Sequence, residues 1–240
     1  MGHDQQHGNR LLATLHQSEL ALLTPHLSEV QLVQGLVLQE QETPVDRVYF
    51  PVSGVISLIS VMERGEVVET AMVGREGTVG AFGGFGPWNA FTRAVVQLPG
   101  VAAVIPVAHF QAAVGQSAHI RNLVLRYKEA LLAQVQQTAA CNALHNLEER
   151  LARWLLQASD RTDNPKLPLT QDFISQMLAV RRTTVTVIAG KLQQAGLIRY
   201  HRGSIEIVDR LKLEEAACEC YRTISRRTDA VFRPPQTALV

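Results

Sequence analysis

Leu169–Ser204, LTQDFISQMLAVRRTTVTVIAGKLQQAGLIRYHRGS, reads as two helices joined by a tight turn and followed by a two-stranded hairpin. The first helix is predicted over Gln171–Leu178, behind Thr170, whose hydroxyl suits an N-cap. Ala179 and Val180 form the turn. The second helix starts near Arg181 or Arg182 and ends at Gly196, a residue type favoured just past a helix end. On it Val185, Ile188 and Leu192 fall three or four apart and make a buried stripe. Arg181, Arg182, Thr183, Thr186 and Lys191 lie on the opposite face. An α-helix fits the major groove of B-DNA, and its first turn aims side chains at base edges. Arginine suits guanine edges and phosphates; threonine suits thymine methyls. The expected base contacts are Arg181, Arg182, Thr183 and Thr186. The hairpin turns at Arg202-Gly203 and forms a wing with a basic tip. By position, Thr170, Gln171, Thr184, Lys191, Arg199, His201 and Arg202 are the phosphate contacts.

The rest of the chain fits that reading. Its 240 residues suggest one large domain or two smaller ones, and 46% hydrophobic with 19% charged residues is ordinary globular material. Net charge is only +1, but it is unevenly placed. From Arg150 onward there are 15 Lys/Arg and 9 Asp/Glu, against 8 and 13 before it, so only the second half is suited to a polyanion. No apolar run reaches the length of a membrane span, and the N-terminus lacks a signal-peptide pattern, so a cytoplasmic location is expected. Cys141, Cys218 and Cys220 are too few and too awkwardly spaced for a disulfide framework.

Residues 1–9 are polar and expected to be disordered. Residues 10–28 read as helical until Pro25, with Leu11, Leu15, Leu22 and Leu23 facing a core. From Val30 to about Phe110, short Val/Ile/Tyr-rich segments alternate with turns, as in a sandwich or barrel. Met62–Glu66 and Leu98-Pro99-Gly100 read as hairpin turns, and Gly80–Pro87 as a glycine-rich loop. Residues 116–141 form a long helix on which Ile120, Val124, Tyr127 and Leu131 make a four-three-four seam, suited to a second copy of the chain. Another helix is predicted over Asn146–Ala158, and the tail from Arg226 is read as frayed. The expected units are a sensor domain over 10–115, a dimerisation helix over 116–141 and a DNA-binding domain over 142–225.

An N-terminal helix, a short-stranded barrel, a seam helix and a winged helix-turn-helix together resemble the Crp/Fnr family of bacterial transcription regulators. LTQDFISQMLAVRRTTVTVIAGKLQQAGLI is the most specific part, and the Phe50-Pro51-Val52-Ser53-Gly54 turn resembles the family's barrel. The resemblance implies an α+β fold: an antiparallel β-barrel or jelly roll like a cyclic-nucleotide-binding domain, a long dimerisation helix and a C-terminal winged helix-turn-helix. It also implies a homodimer on a two-fold symmetric double-stranded DNA operator, with half-sites roughly 34 Å apart. Contact with RNA polymerase through residues 159–168 follows from the same analogy.

Departures from the family pattern shape the rest. With Gly77-Thr78-Val79-Gly80 on the family's phosphate-cassette turn, Ala81 stands at the glutamate position and Phe91 at the arginine position, followed by Thr92. Arg93 comes two residues late. A buried phosphate without its bidentate arginine loses its strongest contact, so cyclic AMP or GMP is not expected. Phe82, Phe85, Trp88 and Phe91, with Thr92 and Arg93, offer either an apolar effector pocket or a filled core. The N-terminal half has no cysteine, so an iron–sulfur cluster does not fit. His109 and His119 are isolated candidates for a haem ligand, and the histidines at 3, 7, 16 and 26 lack metal spacing. Cys218 and Cys220, two apart on a helix, would not face each other, and are read as gap-fillers rather than a redox pair. No cofactor and no metal are expected. In the recognition helix Thr183 and Val187 replace the family's glutamate and second arginine, so the operator should differ from the best-known consensus. Two other function classes are an enzyme on a cupin-like barrel and a signalling module without DNA. The first lacks its ligands, since His109 is the only histidine between Val30 and Phe110.

Overall fold

The computed structural model describes residues 8–162, 164 and 166–233. Residues 1–7 of the expected disordered segment, and 163 and 165 of the expected polymerase-contacting loop, lie outside that set. So do 234–240 of the tail, and His3 and His7.

The chain opens with α1 (Arg10–Ala13) and α2 (Gln17–Leu23). Asn9, expected in a disordered segment, is instead buried. Its side-chain oxygen caps α1 by accepting from the Leu11 and Leu12 amides, and its amide donates to the carbonyls of Pro51 and Gly77 at 2.9 Å each. Seven strands follow: β1 (Ser28–Leu32), β2 (Val37–Gln39), β3 (Arg47–Pro51), β4 (Val55–Val61), β5 (Val67–Val73), β6 (Arg93–Leu98) and β7 (Gly100–Pro106). They form two antiparallel sheets, β1-β7-β3 and β2-β6-β4-β5, with one shared apolar interior. Met62–Glu66 turns between the paired strands β4 and β5, as expected. Leu98-Pro99-Gly100 does not make a hairpin: β6 and β7 belong to different sheets, and Pro99 carries the chain across the corner between them. Gly54 makes the matching corner at φ +79°, where a Cβ would lie 2.6 Å from the Leu98 carbonyl oxygen.

Then come α3 (Val107–Gln116), α4 (Ala118–Leu144) and α5 (Leu147–Asp160). α4 contains no Gly or Pro and is capped by the Ser117 hydroxyl. It stops where His145 turns extended, and Asn146 with Glu149 forms a capping box that starts α5 afresh. The C-terminal part is β8 (Lys166–Leu167), α6 (Gln171–Leu178), α7 (Arg182–Gln194), β9 (Ile198–His201), β10 (Ser204–Ile207), α8 (Arg210–Ala216) and α9 (Cys220–Ala230). β8-β10-β9 is a small sheet. The tail read as frayed from Arg226 is helical to Ala230, and α9 packs along α4 with Val231 buried.

Strand alternation explains how the two halves join. Along β4, Ile56 and Leu58 point into the barrel, while Val55 and Ile59 point out of it. Those outward residues, with Met72, Val95 and Leu98, share one core with Trp154, Leu155, Ile174 and Leu192 of the C-terminal half. Polar groups are sealed in the same layer. Glu69 accepts from the Trp154 indole at 2.8 Å and from the Ser57 hydroxyl at 2.5 Å. Burial pushes the Glu69 carboxyl up to about 7, against the opposing pull of the Ser57 hydroxyl and the Arg153 charge. Arg161 donates to Glu76 at 2.6 Å, with both side chains nearly excluded from water.

Candidate nucleic-acid interface

The helix pair is built as its sequence dictates. Thr170 caps α6 by accepting from the Phe173 amide at 3.1 Å. Ala179 ends α6 in the left-handed conformation (φ 53°, ψ 49°), which makes the sharp turn. Arg181 is the N-cap of α7, Ala195 its C-cap, and Gly196 follows at φ +73°. Val185, Ala189 and Leu192 are buried and Ile188 is half-buried, so the apolar stripe faces the core.

The opposite face is open. Arg181, Arg182, Thr183, Thr184, Thr186 and Lys191 are all exposed. Arg182 Nη1 lies 3.3 Å from Asp172 Oδ2, an exposed pair that sequence spacing did not reveal. The Thr186 hydroxyl lies 2.7 Å from Gln171 Oε1 and 3.1 Å from the Arg182 carbonyl, so it braces α7 against α6. Lys191 stands 3.9 Å from Glu148. In the wing, Arg199 pairs with Glu206 across the hairpin at 3.3 Å, while His201 and Arg202 stand exposed at the tip beside Gly203 (φ +75°). Gln193 accepts from the Tyr200 amide at 2.7 Å and ties the wing to α7. The start of α7 and the wing tip thus both present exposed cations and hydroxyls, donor chemistry suited to base edges and to phosphates.

The seam residues are placed differently from the expectation. Ile120, Val124, Tyr127 and Leu131 are buried within this chain and belong to the barrel core. Tyr127 fills the space over the cassette turn so closely that a Cβ on Gly77 would lie 2.6 Å from its hydroxyl. A four-three-four stripe needs an apolar partner, and here the barrel supplies it. The outward face of α4 carries Leu125 and Leu132, seven apart and 40% and 54% exposed, followed by Ala139. That spacing was the available signal for a second seam.

The aromatic loop also differs from an enclosed effector pocket. Phe85 and Phe91 are exposed, and Phe82, Trp88, Thr92 and Arg93 are half-exposed. Trp88 meets Phe82 and Phe91 edge-on, with centroids 6.1 and 4.9 Å apart, and the Lys128 ammonium lies 5.8 Å from the Phe82 centroid. Arg93 points to Glu40 at 2.7 Å, on the outside. Thr78 is buried and donates to the Tyr49 carbonyl. Phe82, Trp88 and Phe91 thus meet edge to face along the surface, and no arginine faces the cassette turn from the Phe91 position. His109 stacks on His26, and His119 pairs with Glu19 at 2.8 Å. Cys218 and Cys220, read as gap-fillers, converge on Cys141: Cys218 precedes α9 while Cys220 opens it, so helical spacing does not separate them.

Among the described residues, no helix is long and apolar enough to cross a membrane.

Comparison with known proteins agrees with this architecture. Residues 149–216 match the Crp-like helix-turn-helix domain, and residues 29–117 match the cyclic nucleotide-binding domain. The chain is 24% identical over 200 residues to the global nitrogen regulator of Synechococcus elongatus, covering 77% of this chain and 87% of that one. It shares its fold with FixK2 from Bradyrhizobium japonicum (TM-score 0.69, 16% identity, 80% of this chain and 98% of that one). A Crp/Fnr-family transcriptional regulator from Thermus thermophilus is similar too (TM-score 0.61, 23% identity, 79% and 98%). With the cyclic nucleotide-binding domain and the Crp-like helix-turn-helix domain both matched and in that order, the chain belongs to the Crp/Fnr family of DNA-binding transcription regulators.

Proposed function

We propose that this regulator acts in the cytoplasm as a homodimer that sets one α7 into the major groove of each half-site of a two-fold symmetric operator. The observation that carries the reading is the exposed first turn of α7, with Arg181, Arg182 and Thr183 facing solvent, together with a wing tip whose His201 and Arg202 are exposed. Arg182 and Thr183 read bases, with Arg181 and Thr186 adjacent. Thr170, Gln171, Thr184, Lys191, Arg199, His201 and Arg202 follow the phosphates. Residues 10–115 serve as the sensor, 116–141 as the spine and 142–225 as the reading head. The second copy docks on the Leu125–Leu132–Ala139 face of α4, because the inner stripe is already occupied by the barrel. Any effector is recognised by chemistry other than a cyclic phosphate clamp, since Ala81 and Phe91 replace its two anchoring residues. Activation would use contact between residues 159–168 and RNA polymerase.

The test is selection of genomic fragments by the purified protein, followed by binding to permuted half-sites. Arg182→Ala is expected to lose about 1–3 kcal/mol and to relax preference at one base pair. Arg202→Ala is expected to weaken all sequences alike and to lower the salt slope by about one. Unchanged base preference in the Arg182 variant removes its reading role. A monomer by sedimentation, bound to DNA at full affinity, removes the paired geometry.

A further inference from the structure

Cys141 lies in the last turn of α4, His145 terminates that helix, Cys218 sits in the corner between α8 and α9, and Cys220 opens α9. The fold brings them to one point. Cys141 Sγ is 3.5 Å from Cys218 Sγ, Cys220 Sγ is 3.5 Å from His145 Nδ1, and all four ligand atoms lie within 4.8 Å of one another. The three cysteines are buried and form a cluster of their own, apart from both main cores. The surroundings are as specific as the ligands. The Gln137 side chain donates to Cys220 Sγ at 3.0 Å. The Glu219 carboxylate lies 3.2 Å from His145 Nε2, which favours the ring proton there and turns the Nδ1 lone pair toward the sulfurs. Arg150 and Arg153 direct positive charge at Cys141, and each keeps a buried Nε with no hydrogen-bond partner among the described residues.

We propose that Cys141, His145, Cys218 and Cys220 form a Cys3His site for a single thiophilic divalent cation, zinc by preference, which clips the end of α4 to the α8–α9 corner. A tetrahedral zinc with bonds of about 2.3 Å to sulfur and about 2.0 Å to nitrogen spans sulfur–sulfur edges of about 3.8 Å and sulfur–nitrogen edges of about 3.6 Å. The two distances above lie within a few tenths of an ångström of those edges. A multi-iron cluster holds its thiolates farther apart. Three thiolates and a neutral imidazole around a doubly charged ion leave one negative charge, which the two arginines offset. The thiol protons leave to solvent on binding. A Cys141–Cys218 disulfide would account for two of the four groups and give no role to Cys220, His145 or the Glu219 contact.

The experiment uses the full chain, purified without chelator and held in a phosphine reductant. Elemental analysis after gel filtration should find one zinc per chain. Titration of the metal-stripped protein with Co2+ should give the visible d–d and near-ultraviolet thiolate charge-transfer bands of a tetrahedral site, saturating at one equivalent. Glu219→Gln should weaken the metal by about tenfold or more, and Cys220→Ser should abolish the charge-transfer spectrum of the intact site. His119→Gln, which disrupts the other close group of ligand-type residues (His16, Glu19 and His119), should leave the stoichiometry at one. Folded, reduced wild type that retains no zinc and shows no charge-transfer bands overturns the site. So does a Cys141–Cys218 disulfide in the untreated protein that, once reduced, still takes up no metal.

Discussion

Two arginine–carboxylate pairs use the same chemistry in opposite settings. Arg161 meets Glu76 at 2.6 Å with side chains 7% and 10% exposed; Arg182 meets Asp172 at 3.3 Å with 64% and 63% exposed. The first joins the barrel to the end of α5 and is shut away from water. The second sits on the open face of α6 and α7, where water and salt screen it and a stronger anion can displace the carboxylate. The regulator is fixed at the first place and free at the second. The joint between its halves is locked by buried polar groups, while the surface proposed to meet DNA holds Arg182 loosely.

Removing one partner of the locked pair should have the largest effect. Glu76→Ala leaves the Arg161 guanidinium buried without its anion, and unfolding in urea should lose about 3–5 kcal/mol. A loss under about 1 kcal/mol would show that the joint is not held there. The next effect is a pH slope from Glu69. Burial raises its folded pKa from 4.5 to about 7, so its neutral form is the one the fold accepts. Its contribution is therefore fully present below about pH 4.5 and lost as pH rises through about 7. Relative to Glu69→Gln, wild type should lose on the order of 3 kcal/mol between those limits. Parallel stability curves for the two proteins would place the titration elsewhere. On the loose side, Asp172→Ala should change stability by less than about 1 kcal/mol and tighten operator binding by about twofold to fivefold, because it releases Arg182 and removes a like charge from the phosphates' path. Weaker binding would mean that Asp172 positions Arg182 rather than restrains it. The smallest effect concerns the turn between α6 and α7. Ala179→Gly relieves a left-handed alanine against glycine's greater chain-entropy cost, and should add no more than about 0.5 kcal/mol at unchanged DNA affinity, as read by thermal melts and gel shifts.

What could be read in advance followed from range. The α6–turn–α7–wing unit is written in adjacent residues: the Thr170 cap, the Ala179 turn, the Val185–Leu192 stripe and Gly203 at the hairpin tip. Its surface cations were legible for the same reason. The seam was not, because Ile120, Val124, Tyr127 and Leu131 show the same periodicity whether they face another helix or their own barrel. Only the fold reveals that the barrel claims them and leaves Leu125 and Leu132 outside. The aromatic loop posed a similar ambiguity, and its rings meet edge-on at the surface rather than enclose a space. Pro99 looked like a hairpin turn because a strand corner and a hairpin use the same residue types. The convergence of Cys141 with Cys218 spans 77 positions, beyond the reach of any local pattern.

The uninterrupted α4 runs 27 residues, a rod about 40 Å long. Tyr127, in the first half of the rod, presses on the cassette turn at Gly77, and the far end carries the His145 break where α5 sets off. About 25 Å separate the two points, so a tilt of about 5° at Tyr127 would swing the far end by about 2 Å. A displacement beneath Gly77 would thereby be carried to the start of α5.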